Sequence, residues 1–347
     1  MDCCLEIPGY FTSQRQAEHL RRLRREFPFV YIHELTRTAY GRPIHALQIG
    51  SGDRKVLLTA GHHANETITS EVLWRFLFTY CKALRAERTV CGADALSLYH
   101  EAMVYLVPLV NPDGADLAAG AIAPGSAEYC AAAQIAAGFP DVPFPSGWKA
   151  NLSGVDLNLN YPARWEEARS IKAAKGFGRP APRDYPGGRP LDQPETAALA
   201  AYAACIRPDL MLALHTQGRV IYPGPVETAP EGSEALAKAL AAASGYAVED
   251  VPAESANAGF KDWFLQRFHR SAFTVECGLG ENPLPPSALD GLCAELFPLL
   301  VTAIQWEKDG LSRQPGSGSF AGPWLGFSIF TAPACGQGRG FYRRGRR

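Results

Sequence analysis

Four apolar segments constrain the fold of this chain more than any other feature of its sequence. Each is typical of a buried strand and ends at polar or turn-forming residues; they cover residues 55–60, 103–110, 210–214 and 272–275. Segments with helical character lie between them, and they include residues 67–84, 194–204 and 234–244. This alternation predicts a single α/β domain in which a mixed, mostly parallel, twisted sheet carries helices on both faces.

The segments outside this pattern add a helix, two strands and two long connections. Residues 12–27 are predicted to form a surface helix, followed by strands at 30–36 and 44–49. Residues 115–147 and 162–194 are rich in Gly, Pro and Ala. We therefore expect both to be loops that shape a cleft.

The periodic segments divide the chain into one domain and a tail. Residues 1–310 contain all of them and are assigned to the folded domain. Residues 311–347 are rich in Gly, Ser, Pro and Arg and lack periodicity. They are predicted to form a poorly ordered tail.

Composition narrows the classes of function. With 47% hydrophobic and 20% charged residues among 347, the chain is typical of a globular protein, and its net charge of -1 does not indicate nucleic-acid binding. The nine cysteines are an odd number without paired spacing and are predicted to be reduced. The sequence shows neither a signal peptide nor a membrane span, so we expect a cytoplasmic protein.

Polar residues at the strand ends are the candidates for chemistry. His63 and Glu66 follow the first apolar strand, His215 follows the third, and Glu276 follows the fourth. Ligands of such sheets bind beyond the carboxyl ends of the strands. The four side chains are therefore expected to collect at one edge.

Two histidines and one glutamate are a ligand set that catalytic zinc uses, with a position left for water. His63 and Glu66 are three residues apart, which lets both reach one ion, and His215 would complete the set. The alternatives are a hydrogen bond at a helix start for the first pair and a buried core histidine for His215. His62 competes with His63, but only His63 has an acid at this spacing.

Glu276 stands at the end of an apolar strand, where burial disfavours a charged carboxylate. Such a group needs either an ion-pair partner or a function. The structural alternative is a salt bridge to a neighbouring Arg or Lys. As a catalytic base, Glu276 would take a proton from water and return it to a leaving amine.

Over about residues 10–305, the chain resembles the zinc carboxypeptidase family. The resemblance depends on His215 and on six segments: GRPI at 41–44, AGHHANE at 60–66, VNPDG at 110–114, GVDLNLNYP at 154–162, DW at 262–263 and FTVE at 273–276. Within that family it is most similar to the bacterial γ-D-glutamyl-meso-diaminopimelate peptidases, which cut the stem peptide of peptidoglycan. That similarity depends on FPSGWKAN at 144–151, PAPRDY at 180–185, PL at 190–191 with PE at 194–195, and GFKDW at 259–263.

The resemblance implies roles for individual residues. His63, Glu66 and His215 would bind one Zn²⁺, and Glu276 would be the general base. Lys149 stands where the family usually has an arginine that steadies the oxyanion, and it supplies charge as a point donor. Asp156 would orient a histidine ligand, with a turn aspartate as the alternative.

Departures from the family pattern concern the substrate. Leu159 follows Asn158 where ordinary carboxypeptidases have the arginine that grips the terminal carboxylate, and Asn65 replaces a second arginine. Asn158 and Arg219 are predicted to contact substrate. Three basic residues are candidates for binding the carboxylates of diaminopimelate, or are solvated or structural charges; they are Arg183, Arg219 and Lys261. The family's mobile tyrosine has no clear counterpart near residues 254–258.

Together these observations predict a zinc metallopeptidase, with residues 1–310 as its catalytic domain. Its substrate would be a muropeptide, cut at the γ-D-glutamyl-diaminopimelate bond, with no nucleic-acid partner. The alternatives are a metallocarboxypeptidase of other specificity and a non-catalytic binding protein on the same fold. The sequence does not determine the oligomeric state.

Overall fold

A computed structural model describes residues 9–224, 229–252 and 257–306. The predicted tail, 311–347, lies outside these residues. The helices are α1 (Ser13–Glu26), α2 (Ile68–Arg85), α3 (Ala95–Glu101), α4 (Pro112–Ala118), α5 (Ala127–Ala136), α6 (Trp165–Ala174), α7 (Pro194–Ile206), α8 (Ser233–Ser244), α9 (Phe260–Phe268) and α10 (Leu289–Gln305). The strands are β1 (Tyr31–Arg37), β2 (Pro43–Gly50), β3 (Arg54–Ala60), β4 (Thr89–Val90), β5 (Ala93–Asp94), β6 (Ala102–Val107), β7 (Leu210–His215), β8 (Val220–Tyr222), β9 (Ala247–Val248) and β10 (Ser271–Glu276).

Eight of these strands form one sheet in the order β1-β2-β6-β3-β7-β10-β8-β9. The central strands β6, β3, β7 and β10 are mutually parallel, whereas β2 and β8 run antiparallel to their central neighbours. The four predicted apolar strands are the four central ones. The prediction of a mixed, mostly parallel sheet is confirmed.

Alternating side chains of the central strands pack into two hydrophobic cores. Leu212 and Leu214 of β7 enter one core, which is shared with α1, α2, α3, α8 and α10. Met211 and Ala213 of the same strand enter the other core, which is shared with α7 and α9. Successive side chains of a strand point to opposite faces, so a run of apolar residues marks a strand that is covered on both sides.

The predicted loops at 115–147 and 162–194 contain helices, and that prediction is wrong for these segments. They include the end of α4, all of α5 and all of α6. Alanine has the highest helix propensity and accounts for much of α5, whose Ser126 cap accepts a hydrogen bond from Tyr129 N–H. The glycines and prolines that suggested loops lie mainly between these short helices.

Contrary to the sequence prediction, one helix in the described part of the chain is long and apolar enough to cross a membrane by length and composition. It spans Pro286–Gln305 and includes α10. Leu296, Leu299 and Leu300 of α10 are completely buried in the core shared with α2. Because the buried core helix of a globular protein has the same length and hydropathy, this helix is weak evidence for a membrane span.

Candidate metal centre and cleft

The sheet brings the carboxyl ends of β3, β7 and β10 to one edge. In the parallel pair β7 and β10, Glu276 is the register partner of His215. In the adjacent pair, Ala60 at the end of β3 is the partner of Leu214. Gly61 then turns the chain with a φ of 65°, and a Cβ there would lie 2.8 Å from the Ser70 Oγ. This turn places His63 at the same edge of the sheet.

Three ligand-type side chains converge there. His63 Nδ1 lies 2.9 Å from Glu66 Oε1, and His215 Nδ1 lies 3.1 Å from Glu66 Oε2 and 3.2 Å from His63 Nδ1. Their ligand atoms all lie within 4.8 Å of one another. The two imidazole nitrogens face each other and a carboxylate, so a shared cation would satisfy all three groups. The spacing is also close to the about 3.3 Å between ligand atoms of tetrahedral zinc. The donor set therefore fits zinc.

His62, the competing histidine, lies outside this group. Its ring is completely buried, and its Nε2 lies 3.3 Å from the Tyr161 hydroxyl. The ring stacks on His215 with centroids 5.6 Å apart. His62 therefore packs behind His215.

Asp156 holds His63 from the other side of its ring. One carboxylate oxygen lies 3.1 Å from His63 Nε2 and accepts the Asn158 N–H, and the other accepts the Asp184 N–H. Burial favours the neutral acid, but His63 and Lys149 outweigh it and hold the pKa of Asp156 far below its usual range. Burial also lowers the pKa of His63, but the carboxylates of Glu66 and Asp156 raise it to about 9. The site thus has a negative potential that favours a cation.

Glu276 borders the same cavity as His63. Burial raises the pKa of Glu276; the His215 ring opposes this shift, and the nearby Glu66 carboxylate adds to it. Within the described residues, no Lys or Arg nitrogen lies within 4.0 Å of its carboxylate, so the salt-bridge alternative finds no support there. A carboxylate whose pKa lies above its usual value is a stronger proton acceptor than an ordinary glutamate.

Lys149 contacts the predicted ligand Glu66. Its Nζ lies 2.9 Å from Glu66 Oε1, and its carbonyl accepts the Ala64 N–H from the loop that carries His63. Burial lowers the pKa of Lys149, but the Glu66 carboxylate overcomes this effect and raises it. Lys149 therefore remains a cation at the wall of the cavity.

The cavity has a volume of about 650 Å³. Of the predicted site residues, five line it; they are His63, Lys149, Asp156, Asn158 and Glu276. Glu66 and His215 lie behind them, almost completely buried. Arg219 is not among the residues that line the cavity: its guanidinium lies 3.0 Å from the Glu295 carboxylate and stacks on Tyr246. The Asn158 side-chain oxygen accepts the Phe260 N–H, so this residue also fixes the start of α9.

Sequence reasoning missed two residues that support the centre. Thr216 donates its N–H to Glu66 Oε2 at 3.1 Å, and its hydroxyl donates to Asn282 at 2.7 Å. Thr216 directly follows His215, which was the available signal. No sequence signal indicated Asn282, because it lies 66 residues from Thr216 in the chain and contacts it only in the folded protein.

A buried network supports the segment that carries Lys149. Glu195 of α7 is 1% exposed. Its Oε1 accepts a hydrogen bond from Asn151 Nδ2 at 3.4 Å, while its Oε2 has no partner among the described residues. Burial, with a contribution from Asp113, raises the pKa of Glu195 to about 7. This acid is therefore largely neutral in the folded protein below that pH.

We expect Glu195→Gln to stabilise the protein more at pH 8 than at pH 5. The folded pKa of about 7 exceeds the unfolded value of about 4.3. The contribution of Glu195 to stability is thus complete below about pH 4.3 and is lost as the pH rises through 7. Glutamine resembles the neutral acid and does not titrate. The measurement is the difference in Tm between variant and wild type at the two pH values.

The matched control is Glu166→Gln, because Glu166 lies on α6 with an 82% exposed side chain. Its difference from wild type should not change with pH. A Tm difference for Glu195→Gln that is equal at both pH values would contradict the assignment of a raised pKa to Glu195.

Comparisons with known proteins identify a matching family model and two similar proteins. The family model described as zinc carboxypeptidase matches residues 17–298. A gamma-D-glutamyl-L-diamino acid endopeptidase 1 of Lysinibacillus sphaericus is 38% identical over 285 residues, which cover 82% of this chain and 70% of that protein. The uncharacterized protein YqgT of Bacillus subtilis (strain 168) is 35% identical over 286 residues, covering 82% and 74%.

Solved structures show the same fold at low sequence identity. Bovine thrombin-activatable fibrinolysis inhibitor matches with a TM-score of 0.64 and 18% identity, covering 85% of this chain and 96% of that one. Carboxypeptidase A of Helicoverpa armigera matches with a TM-score of 0.63 and 18% identity, covering 85% and 72%. These likenesses confirm the predicted fold class.

Proposed function

Since the chain belongs to the zinc carboxypeptidase family, and is accordingly a metallopeptidase that uses one zinc ion, we propose that it hydrolyses the γ-D-glutamyl-diaminopimelate bond of peptidoglycan stem peptides. The observation that carries the proposal is the convergence of His63, Glu66 and His215 within 4.8 Å, with Glu276 beside His215 at the same sheet edge. In this proposal the first three residues hold the metal.

The side chains then have separate tasks. Zinc, when bound, supplies Lewis acidity that polarises a carbonyl and makes water more acidic. Glu276 accepts a proton from the attacking water and returns it to the leaving amine. Lys149, whose ammonium has three N–H donors, stabilises the negative charge that develops on the carbonyl oxygen. Asp156 holds the His63 ring in place through its Nε2.

The proposed substrate follows from the charges of the cavity and from the relative. Asn65 and Leu159 line the cavity where ordinary carboxypeptidases carry arginines, so the usual grip on a terminal carboxylate is missing. Cations at other positions line it instead, and Arg183 and Lys261 are among them. The Lys261 side chain is 5% exposed and lies 2.8 Å from Asp262. A γ-D-glutamyl-diaminopimelate peptide carries several carboxylates for such groups, and the Lysinibacillus sphaericus relative is named for a bond of this type.

We expect the zinc-loaded protein to cleave L-alanyl-γ-D-glutamyl-meso-diaminopimelate, releasing diaminopimelate and L-alanyl-D-glutamate. A plain C-terminal dipeptide substrate should be cleaved at least about 10-fold more slowly, because one lost charge-assisted contact is worth at least that factor. The measurement is product identification by mass, with kcat/KM for both substrates.

Two outcomes would contradict the proposal. Faster cleavage of the plain dipeptide would favour a metallocarboxypeptidase of other specificity. Binding of the stem peptide with zinc present but without any product would favour a non-catalytic binding protein on this fold.

A further inference from the structure

Two charged residues of the segment 180–185 take no part in the proton transfer or carbonyl activation of the proposed reaction. Arg183 and Asp184 both line the cavity. Asp184 Oδ1 lies 2.5 Å from Lys172 Nζ, and its Oδ2 lies 2.5 Å from Arg183 Nε. The backbone N–H of Asp184 donates to Asp156, which also binds His63. The segment is therefore tied to the candidate metal centre.

These contacts hold an unusual backbone conformation. Asp184 has a φ of 64°, in the left-handed region that few non-glycine residues occupy. Such conformations persist where surrounding contacts impose them, and they are common at ligand-binding sites. The ion pair to Lys172 and the hydrogen bond to Asp156 accompany this conformation, and the ion pair with Asp184 holds Arg183 at the cavity wall.

Arg183 has donors available for a ligand. A guanidinium carries five N–H donors in a planar fork. In the described residues only its Nε is hydrogen-bonded, to Asp184. The side chain is 46% exposed. Arg183 also lies close enough to Lys149 for the two charges to repel each other. An anion bound beside both cations would relieve that repulsion.

We propose that Arg183 binds a carboxylate of the residue that contributes the scissile carbonyl, and so selects peptides with a glutamyl residue there. The inference rests on the proposed function, in which Lys149 faces the carbonyl oxygen. The free α-carboxylate of a γ-linked glutamate is only a few bonds from that carbonyl. An arginine fork held by Asp184 suits two parallel hydrogen bonds to a carboxylate.

The test compares two peptides that differ by this carboxylate. One is L-alanyl-γ-D-glutamyl-diaminopimelate, and the other has 4-aminobutyrate in place of the γ-linked glutamate. For the wild type, we expect loss of the carboxylate to lower kcat/KM by about 10- to 100-fold. Arg183→Gln should lower kcat/KM for the glutamyl peptide by a similar factor and leave the 4-aminobutyryl peptide nearly unchanged. The loss should lie mainly in KM, because the α-carboxylate does not change its charge during the reaction and is bound equally in the ground state and the transition state.

Two further variants separate binding from structural support. Arg183→Lys should restore part of the lost activity, since it keeps the charge without the fork. Arg179→Gln is the matched control, because Arg179 stacks on Phe139 and is not among the residues that line the cavity. It should behave as wild type on both peptides.

The outcomes distinguish this inference from the proposed function. If Arg183→Gln slows both peptides by the same factor, or neither, Arg183 does not bind the carboxylate and the inference is overturned. If the wild type cleaves neither peptide, the proposed function itself fails. A selective loss that Arg183→Lys partly reverses supports both.

Discussion

Glu276→Gln is expected to lower kcat/KM for the γ-D-glutamyl peptide by about 10²–10⁴-fold while zinc remains bound. Glutamine keeps the size and polarity of the side chain but cannot accept the proton of the attacking water. Glu276 is not one of the three converging groups, so the metal site should be unaffected. The measurements are steady-state kinetics and metal content by mass spectrometry.

The matched control is Glu249→Gln, an exposed glutamate at the edge of the same sheet. Its activity and zinc content should equal those of the wild type. Full activity of Glu276→Gln at normal zinc content would remove Glu276 from the reaction. Loss of zinc from this variant would instead make Glu276 part of the metal site.

His215→Ala is expected to abolish stoichiometric zinc binding and, with it, activity. It removes one of three proposed protein ligands and leaves the Glu66 carboxylate and His63 without their third partner. The loss of zinc affinity should exceed the about 10–100-fold that is typical when only the hydrogen-bond partner of a ligand is removed. Asp156→Ala serves as the comparison. It removes the contact to His63 Nε2 but none of the proposed ligands, and should therefore show the smaller loss of zinc affinity. Zinc affinity is measured by competition with a chelator of known Kd.

Folding must be separated from metal binding in this experiment, since His215 is almost completely buried. His215→Asn provides a second, polar replacement, and circular dichroism of each variant checks the fold. His33→Ala is the control, because His33 lies exposed on β1. A folded His215 variant that still binds one zinc with wild-type affinity would contradict the ligand assignment.

The sequence predicted much of the fold because apolar strands covered on both faces are easily recognised. It did not reveal which strands are neighbours: β7 and β10 pair through hydrogen bonds between residues far apart in the chain. It also underestimated helices α5 and α6, whose segments are interrupted by glycine and proline. Local composition there indicated loops, whereas the alanine content of both helices and the Ser126 cap of α5 favour helix.

The candidate site shows a similar limit. The spacing of His63 and Glu66 and the strand-end position of His215 were local signals, whereas Lys149 and Asp156 were predicted only through the family resemblance. Arg219 follows β7 closely, yet its backbone turns with a φ of 55° and its side chain pairs with Glu295. The direction of a side chain at a turn depends on such backbone angles, which cannot be read from the sequence pattern. The ion pair between Arg183 and Asp184 was likewise not predictable from the sequence.

Anomalous diffraction at the zinc absorption edge, from crystals of the zinc-loaded protein, would locate the metal directly. We expect one peak about 2.0–2.2 Å from Nδ1 of His63, Nδ1 of His215 and a carboxylate oxygen of Glu66. Glu276 should face that peak across the cavity without being a ligand. A principal peak that lacks any of the three ligands, or the absence of a peak from this edge of the sheet, would contradict the central claim.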